Sequence, residues 1–257
     1  PGKIIPLIAE TGGLNTMIVD SSALLERACD DIIRSAFNSS GQRCSALRLL
    51  LVHQEVYSEL LSMLKGAMND LTIGPPDQLH TDIGPIITFD AMKKLKLYLI
   101  KMESDGHSLY QSSNKPVPRK GTWLAPTLIE LELNSMPNEE QFGPILHIMS
   151  FSEDTLIDSL KKIKSKGFAL TFGIHTRIDA KALDVAKQTS SGNIYINRDI
   201  VGAVVETQPF GGKNLSGSGF KAGGPNYLLQ FMDERVITVN TVAIGGNIDL
   251  INLNNDN

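Results

Sequence analysis

Cys44 and Glu10 are the residues whose types and settings could do covalent chemistry. Cys44 lies in Ser40-Gly41-Gln42-Arg43-Cys44-Ser45-Ala46, a polar, turn-forming stretch between a helical pattern and an apolar run. The thiolate is the nucleophilic form of cysteine, and the neighbouring Arg43 would favour it. Cys29 falls mid-helix among apolar neighbours and reads as an inert core thiol. Glu10 follows an apolar stretch and precedes Thr11-Gly12-Gly13, so it projects from a strand end, where a carboxylate can act as general base. Taken singly, a cysteine is more often inert core and a carboxylate more often solvated. A cysteine hydrolase would need a histidine base, and none of His53, His80, His107, His147 and His175 is local to Cys44. No Cys/His pair has zinc-site spacing, so no metal is expected.

Further motifs follow in order. Glu139-Glu140-Gln141-Phe142-Gly143-Pro144 precedes an apolar run, and Pro209-Phe210-Gly211-Gly212 is followed by Ser216-Gly217. Together with Glu10-Thr11-Gly12-Gly13-Leu14-Asn15 and Gly41-Gln42-Arg43-Cys44, this set resembles the aldehyde dehydrogenase superfamily in motif order and separation. Asn193–Arg198, Val201-Gly202-Ala203-Val204-Val205 and Ser216–Pro225 are similar to the branch that oxidises glutamate semialdehyde. The ending Thr238–Thr241 through Gly245-Gly246-Asn247 is similar to bacterial two-enzyme proline-utilisation proteins.

The resemblance implies NAD-dependent oxidation of L-glutamate γ-semialdehyde to glutamate, the second step of proline catabolism. Cys44 would be the nucleophile, with its own backbone N–H donating to the oxyanion, and Glu10 the base that activates water. Glu140 would bind the nicotinamide ribose and Phe142 would pack near the nicotinamide. Ser45 and the backbone of Gly202 and Ala203 would take the substrate's amino-acid head group, and Phe210 its aliphatic stem. NAD is the implied cofactor; FAD would belong to an upstream proline dehydrogenase domain of the parent, outside this chain. The implied partners are a small-molecule substrate and further copies of the chain, in a cytoplasmic protein whose parent could be membrane-peripheral. Other readings are an aldehyde dehydrogenase for a different substrate and a non-catalytic assembly fragment. The glycine-rich Gly217-Ser218-Gly219-Phe220-Lys221-Ala222-Gly223 places its third glycine one residue late for a dinucleotide loop, so it reads as chain-turning.

These residues need a scaffold. Residues 4–9 read as a strand, 23–38 as a helix capped by Asp20, Ser21 or Ser22, and 47–53 as a buried strand. Residues 56–70 and 89–104 have helical periodicity, and 123–133 reads as a strand interrupted at Pro126. Strand, helix, strand, helix and strand are expected over 145–151, 155–166, 169–175, 180–189 and 193–197. This alternation predicts an α/β fold, an open twisted sheet with flanking helices. The expected division is the end of an NAD-binding domain over 1–13, a catalytic domain over 14–225, a β-rich oligomerisation segment over 226–247 and a polar tail over 248–257. The apolar start without a Met suggests a piece of something longer, inactive alone.

Composition is that of an ordinary globular protein of 257 residues, with 42% hydrophobic and 20% charged residues. A net charge of −4, with no Lys/Arg-rich run, gives no reason to expect nucleic acid contact. Two cysteines make no disulfide framework.

Overall fold

The computed structural model describes residues 2, 5–112, 117–204, 206–240 and 243. The frame is a seven-stranded sheet. Its strands are β1 (Asn15–Val19), β2 (Leu47–His53), β3 (Ser108–Gln111), β4 (Thr127–Glu130), β5 (Ile145–Phe151), β7 (Thr171–His175) and β8 (Asn193–Ile196), in the spatial order β3-β4-β5-β2-β1-β7-β8. All neighbours run parallel except the edge pair β3–β4. A separate two-stranded pair joins β6 (Phe168–Ala169) to β9 (Lys213–Asn214).

Helices cover both faces, which is why β1, β2, β5 and β7 are buried at every residue but Ser150 and are mostly apolar. The period-two pleat divides them. Met17, Val19, Leu50, Val52, Leu146 and Ile148 pack with α1 (Leu25–Phe37) and α2 (Tyr57–Asp70). Ile18, Leu49, Leu51, Met149, Phe172 and Ile174 pack with α3 (Phe89–Ser104), α4 (Glu153–Ser165) and α5 (Asp179–Gln188). One register slip interrupts the ladder. Asn15 pairs with Leu47 but Thr16 pairs with Leu49, leaving Arg48 as an extra residue in β2. The slip also explains why Leu47 joins the face of Leu50 and Val52.

Several expectations are corrected. Residues 5–9 form no strand: Leu7 and Ala9 bond only with Ser218, and Ile5 and Leu7 are exposed, so no neighbouring strand supplies a ladder. Ile4 lies outside the described residues. Asp20 does not cap α1, which starts at Leu25 behind Leu24; its carboxylate is taken up by Ser22, Thr176 and Lys181 instead. The strand expected over 123–133 shortens to β4, and that over 169–175 breaks at Leu170 into β6 and β7. Residues 236–240 form no strand, and Val236, Ile237 and Val239 are exposed with no strand beside them among the described residues. Within 226–247 only 226–240 and 243 are described, with a short helical turn at Tyr227–Phe231; the tail 248–257 and Val205 lie outside the described residues. No helix among the described residues is long and apolar enough to cross a membrane.

Candidate active site

The Cys44 loop is held tightly by its backbone. After α1 the chain turns through Ser39, Ser40 and Gly41, all at positive φ of 56°, 58° and 64°. A side chain at Gly41 would place its Cβ 2.2 Å from the Gly143 carbonyl oxygen, so only glycine lets the two loops touch. Ser40 Oγ donates to Gly84 O at 2.8 Å, and Gln42 receives Ile87 N–H at 2.8 Å while donating to Pro85 O at 3.0 Å. On the other flank Asn15, buried, donates to Cys44 O at 2.6 Å and Ala46 O at 2.9 Å and accepts Thr171 N–H at 3.0 Å. The result is a fixed backbone presenting an exposed thiol.

Cys44 opens into a cleft of about 390 Å³ whose lining brings together Glu10, Gly12, Cys44, Glu140, Phe142 and Phe210. Each comes from a segment leading into the sheet or its flank: Glu10 and Gly12 precede β1, Cys44 precedes β2, and Glu140 and Phe142 precede β5. The cleft therefore lies at the amino edge of the parallel strands, opposite to the edge where open α/β sheets usually place ligands. Glu10 reaches it by a bridge with Gly217, and Thr11 N–H bonds Ser216 O at 3.4 Å, so the late glycine-rich loop holds the carboxylate's backbone.

The electrostatics favour a thiol over a thiolate until something compensates. Burial raises the pKa of Cys44, and the carboxylates of Glu140 and Glu10 add to this; the backbone N–H groups of Ser45 and Cys44 work the other way. Arg43 does not contribute as expected: it is exposed and its Nε donates to Ser39 Oγ at 3.0 Å. Cys29 is buried and pushed up to about 11 by burial and by Asp30, so it is the less reactive thiol.

Glu140 is bracketed from both sides. Its Oε1 accepts from Arg48 Nη2 at 2.9 Å and Nε at 3.2 Å, and its Oε2 accepts Gly13 N–H at 3.1 Å. A Cβ on Gly12 would lie 1.8 Å from Oε2, so the carboxylate occupies the space that glycine leaves open. Burial raises the Glu140 pKa, while Arg48 and Gly13 N–H oppose the rise.

Ser45, Gly202 and Ala203 are not part of this lining. Ser45 is buried, with its carbonyl accepting from Thr171 Oγ1 at 3.4 Å. Gly202, at φ +70°, and Ala203 lie in the loop after β8 that runs on to Phe210, with open space where a Cβ on Gly202 would stand. The sequence reading passed over Arg48 and Asn15. A charged residue between Leu47 and Leu49 in an apolar run was the available signal, because a buried guanidinium must find partners. No group of three or more His, Cys, Asp or Glu among the described residues could hold a metal ion.

Comparison with known proteins bears on this cleft. The model of the "Aldehyde dehydrogenase family" matches residues 2–237. The "Bifunctional protein PutA" of Escherichia coli (strain K12) is 46% identical over 239 residues, covering 91% of this chain and 18% of that protein. The "1-pyrroline-5-carboxylate dehydrogenase" of Bacillus subtilis (strain 168) is 34% identical over 232 residues, covering 89% of this chain and 44% of that protein. A crystal structure of a bifunctional proline utilization A (PutA) protein superposes with a TM-score of 0.88 at 45% identity, covering 95% of this chain and 25% of that one. The chain thus spans less than half the length of these relatives.

Proposed function

The chain belongs to the aldehyde dehydrogenase family, and from that premise we propose that it supplies the catalytic part of an NAD-dependent L-glutamate γ-semialdehyde dehydrogenase within a longer, proline-degrading polypeptide. The observation that carries the reading is the meeting of Cys44, Glu10, Glu140 and Phe142 in one cleft from three separate segments. The relatives named for proline utilisation and for pyrroline-5-carboxylate oxidation support the choice of substrate.

In this reading the Cys44 thiolate adds to the aldehyde carbon and makes a thiohemiacetal, whose oxyanion is met by the Cys44 backbone N–H. Glu140 and Phe142 are the residues that would hold a nicotinamide dinucleotide, which when bound would supply the acceptor for the hydride lost from that carbon. Glu140 fits that role because its Oε2, carrying one N–H bond, keeps acceptor capacity for ribose hydroxyls, and Phe142, about half exposed, offers an apolar face. The carbon, now a thioester on Cys44, is attacked by water. Glu10 is exposed in the same cleft and accepts the water's proton; the acid leaves and the thiolate is restored. A thiol with a raised pKa needs a base to release its proton, and Glu10, in the same cleft, is assigned that role at the start of the cycle as well.

Phe210 lines the aliphatic stem, and the backbone of Gly202 and Ala203, with Ser45, is assigned to the substrate's amino-acid head group. Such a pocket loses its paired donors when the carboxylate is missing. In the polypeptide carrying this chain, glutamate semialdehyde is expected to exceed pentanal in kcat/KM by about 100-fold, roughly 2.7 kcal/mol, with Ala203→Phe removing most of that margin. Equal constants in the unaltered protein would refute the substrate, and a margin kept by Ala203→Phe would place the head-group pocket elsewhere. The 257-residue chain alone is expected to show no NAD-dependent turnover.

A further inference from the structure

Arg48 is the largest of the side chains buried to under 2% exposure, and it is charged. It is not exposed at the cleft, so nothing that enters the cleft can touch it. Its side-chain hydrogen bonds among the described residues go to the two loops that form the cleft: two to Glu140 Oε1, one from Nη1 to Gly143 O at 3.0 Å and one from Nη2 to Arg43 O at 3.2 Å. Its guanidinium also lies 5.4 Å from the centre of the Phe142 ring. Arg48 is the extra residue where β2 slips register against β1, and such slips re-aim a side chain out of the regular pleat. Its backbone is secured from behind: Arg48 O bonds His147 Nδ1 at 2.9 Å, and Tyr98 OH bonds His147 Nε2 at 2.8 Å.

We infer that Arg48 is a positioning residue that sets the affinity for the dinucleotide through Glu140, without meeting the dinucleotide itself. Both of its bonds fall on one carboxylate oxygen, Oε1, which leaves Oε2 turned to Gly13 and the cleft. The fork geometry matters: two guanidinium N–H groups converging on Oε1 fix where that oxygen stands, whereas an ammonium holds it only as a point charge. Arg48 is also the largest influence opposing the upward pull of burial on Glu140, whose pKa is raised on balance. The assignment rests on the reading of Glu140 as the ribose acceptor.

The test is a set of KM and kcat measurements for NAD+ in the intact polypeptide that carries this chain, with Arg48→Lys, Glu140→Gln and the double variant Arg48→Gln/Glu140→Gln, which leaves no charge unpaired. Arg48→Lys is expected to raise KM for NAD+ by about 10-fold or more, because small misplacements of a binding group cost that much, with a smaller fall in kcat. Glu140→Gln raises KM similarly, and the double variant matches Glu140→Gln, since the proposal routes Arg48 through Glu140 and not through Phe142 or the Gly143 and Arg43 carbonyls. A multiplied effect in the double variant would overturn the proposal. So would a normal KM in Arg48→Lys beside a raised one in Glu140→Gln. A normal KM in Glu140→Gln would instead overturn the reading of Glu140 as the cofactor's acceptor, and the proposal with it.

Discussion

The two ends of the central strands both carry polar clusters and use them differently. At the carboxyl edge Asp20, following β1, accepts from Ser22 Oγ at 2.6 Å, Thr176 Oγ1 at 2.9 Å and Lys181 Nζ at 2.6 Å, and Lys181 also reaches Glu153 at 2.6 Å. Asn197 closes over Thr176 with two backbone bonds of 2.9 Å. Asp20 is 1% exposed and each of its carboxylate oxygens has a partner, so the cluster holds strands together and leaves nothing to offer a ligand. At the amino edge Arg48 and Asn15 do the same holding work one layer down, and above them Cys44, Glu10 and one oxygen of Glu140 stay open to the cleft. A site needs both a satisfied supporting layer and an unsatisfied working layer. The Asp20 cluster has only the first.

The sharpest break of that contrast is in catalysis. Cys44→Ala is expected to lower aldehyde oxidation by at least about 10⁴-fold, the scale of losing a nucleophile. Cys29→Ala and Asp20→Asn should stay near the unaltered rate in the same assay. A comparable loss in Asp20→Asn would erase the division between the edges.

The next effect separates support from work inside the amino edge. Asn15→Ala strands Cys44 O, Ala46 O and Thr171 N–H, and should destabilise the chain by about 3 kcal/mol, the upper range for buried groups left unpaired. Denaturant midpoints measure it; no change in midpoint would show that those groups find other partners.

The smallest effect tests whether the carboxyl edge is purely structural. Burial raises the Asp20 pKa, but Lys181, Ser22 and Thr176 outweigh it and bring the group to about 2 from 3.8. A folded value below the unfolded one means stability present above pH 3.8 and lost as the pH falls through about 2. Asp20→Asn should therefore cost about 2 kcal/mol at neutral pH, with the gap to the unaltered chain closing in strong acid. A gap that persists at low pH would assign the loss to packing and not to charge.

Which parts of this were legible in the sequence follows from how each residue earns its place. Leu47–His53, Ile145–Phe151 and the helix over 89–104 were readable to the residue, because burial on both faces or one clear stripe leaves a pattern. The apolar stretch 5–9 was misread because apolar character marks burial only when a partner strand is present. Asp20 looked like a helix cap because sequence shows its neighbours along the chain, Ser21 and Ser22, but not Thr176 and Lys181 across it. Cys44 and Glu10 were visible through motif chemistry and resemblance. Arg43 was credited with a role that depends on where a side chain turns, which spacing does not report.

The slip at Arg48 also works as slack in the chain. It adds one residue of contour, roughly 3.3 Å, between Cys44 and the regular part of β2. Where Cys44 stands above the sheet is thus set by counting residues as much as by contacts. Replacing Arg48 alters charge and keeps the count, whereas deleting it would draw Cys44 down towards the strand and turn Leu47 to the opposite face of the sheet. Segments such as this tolerate changes of letter far better than changes of length.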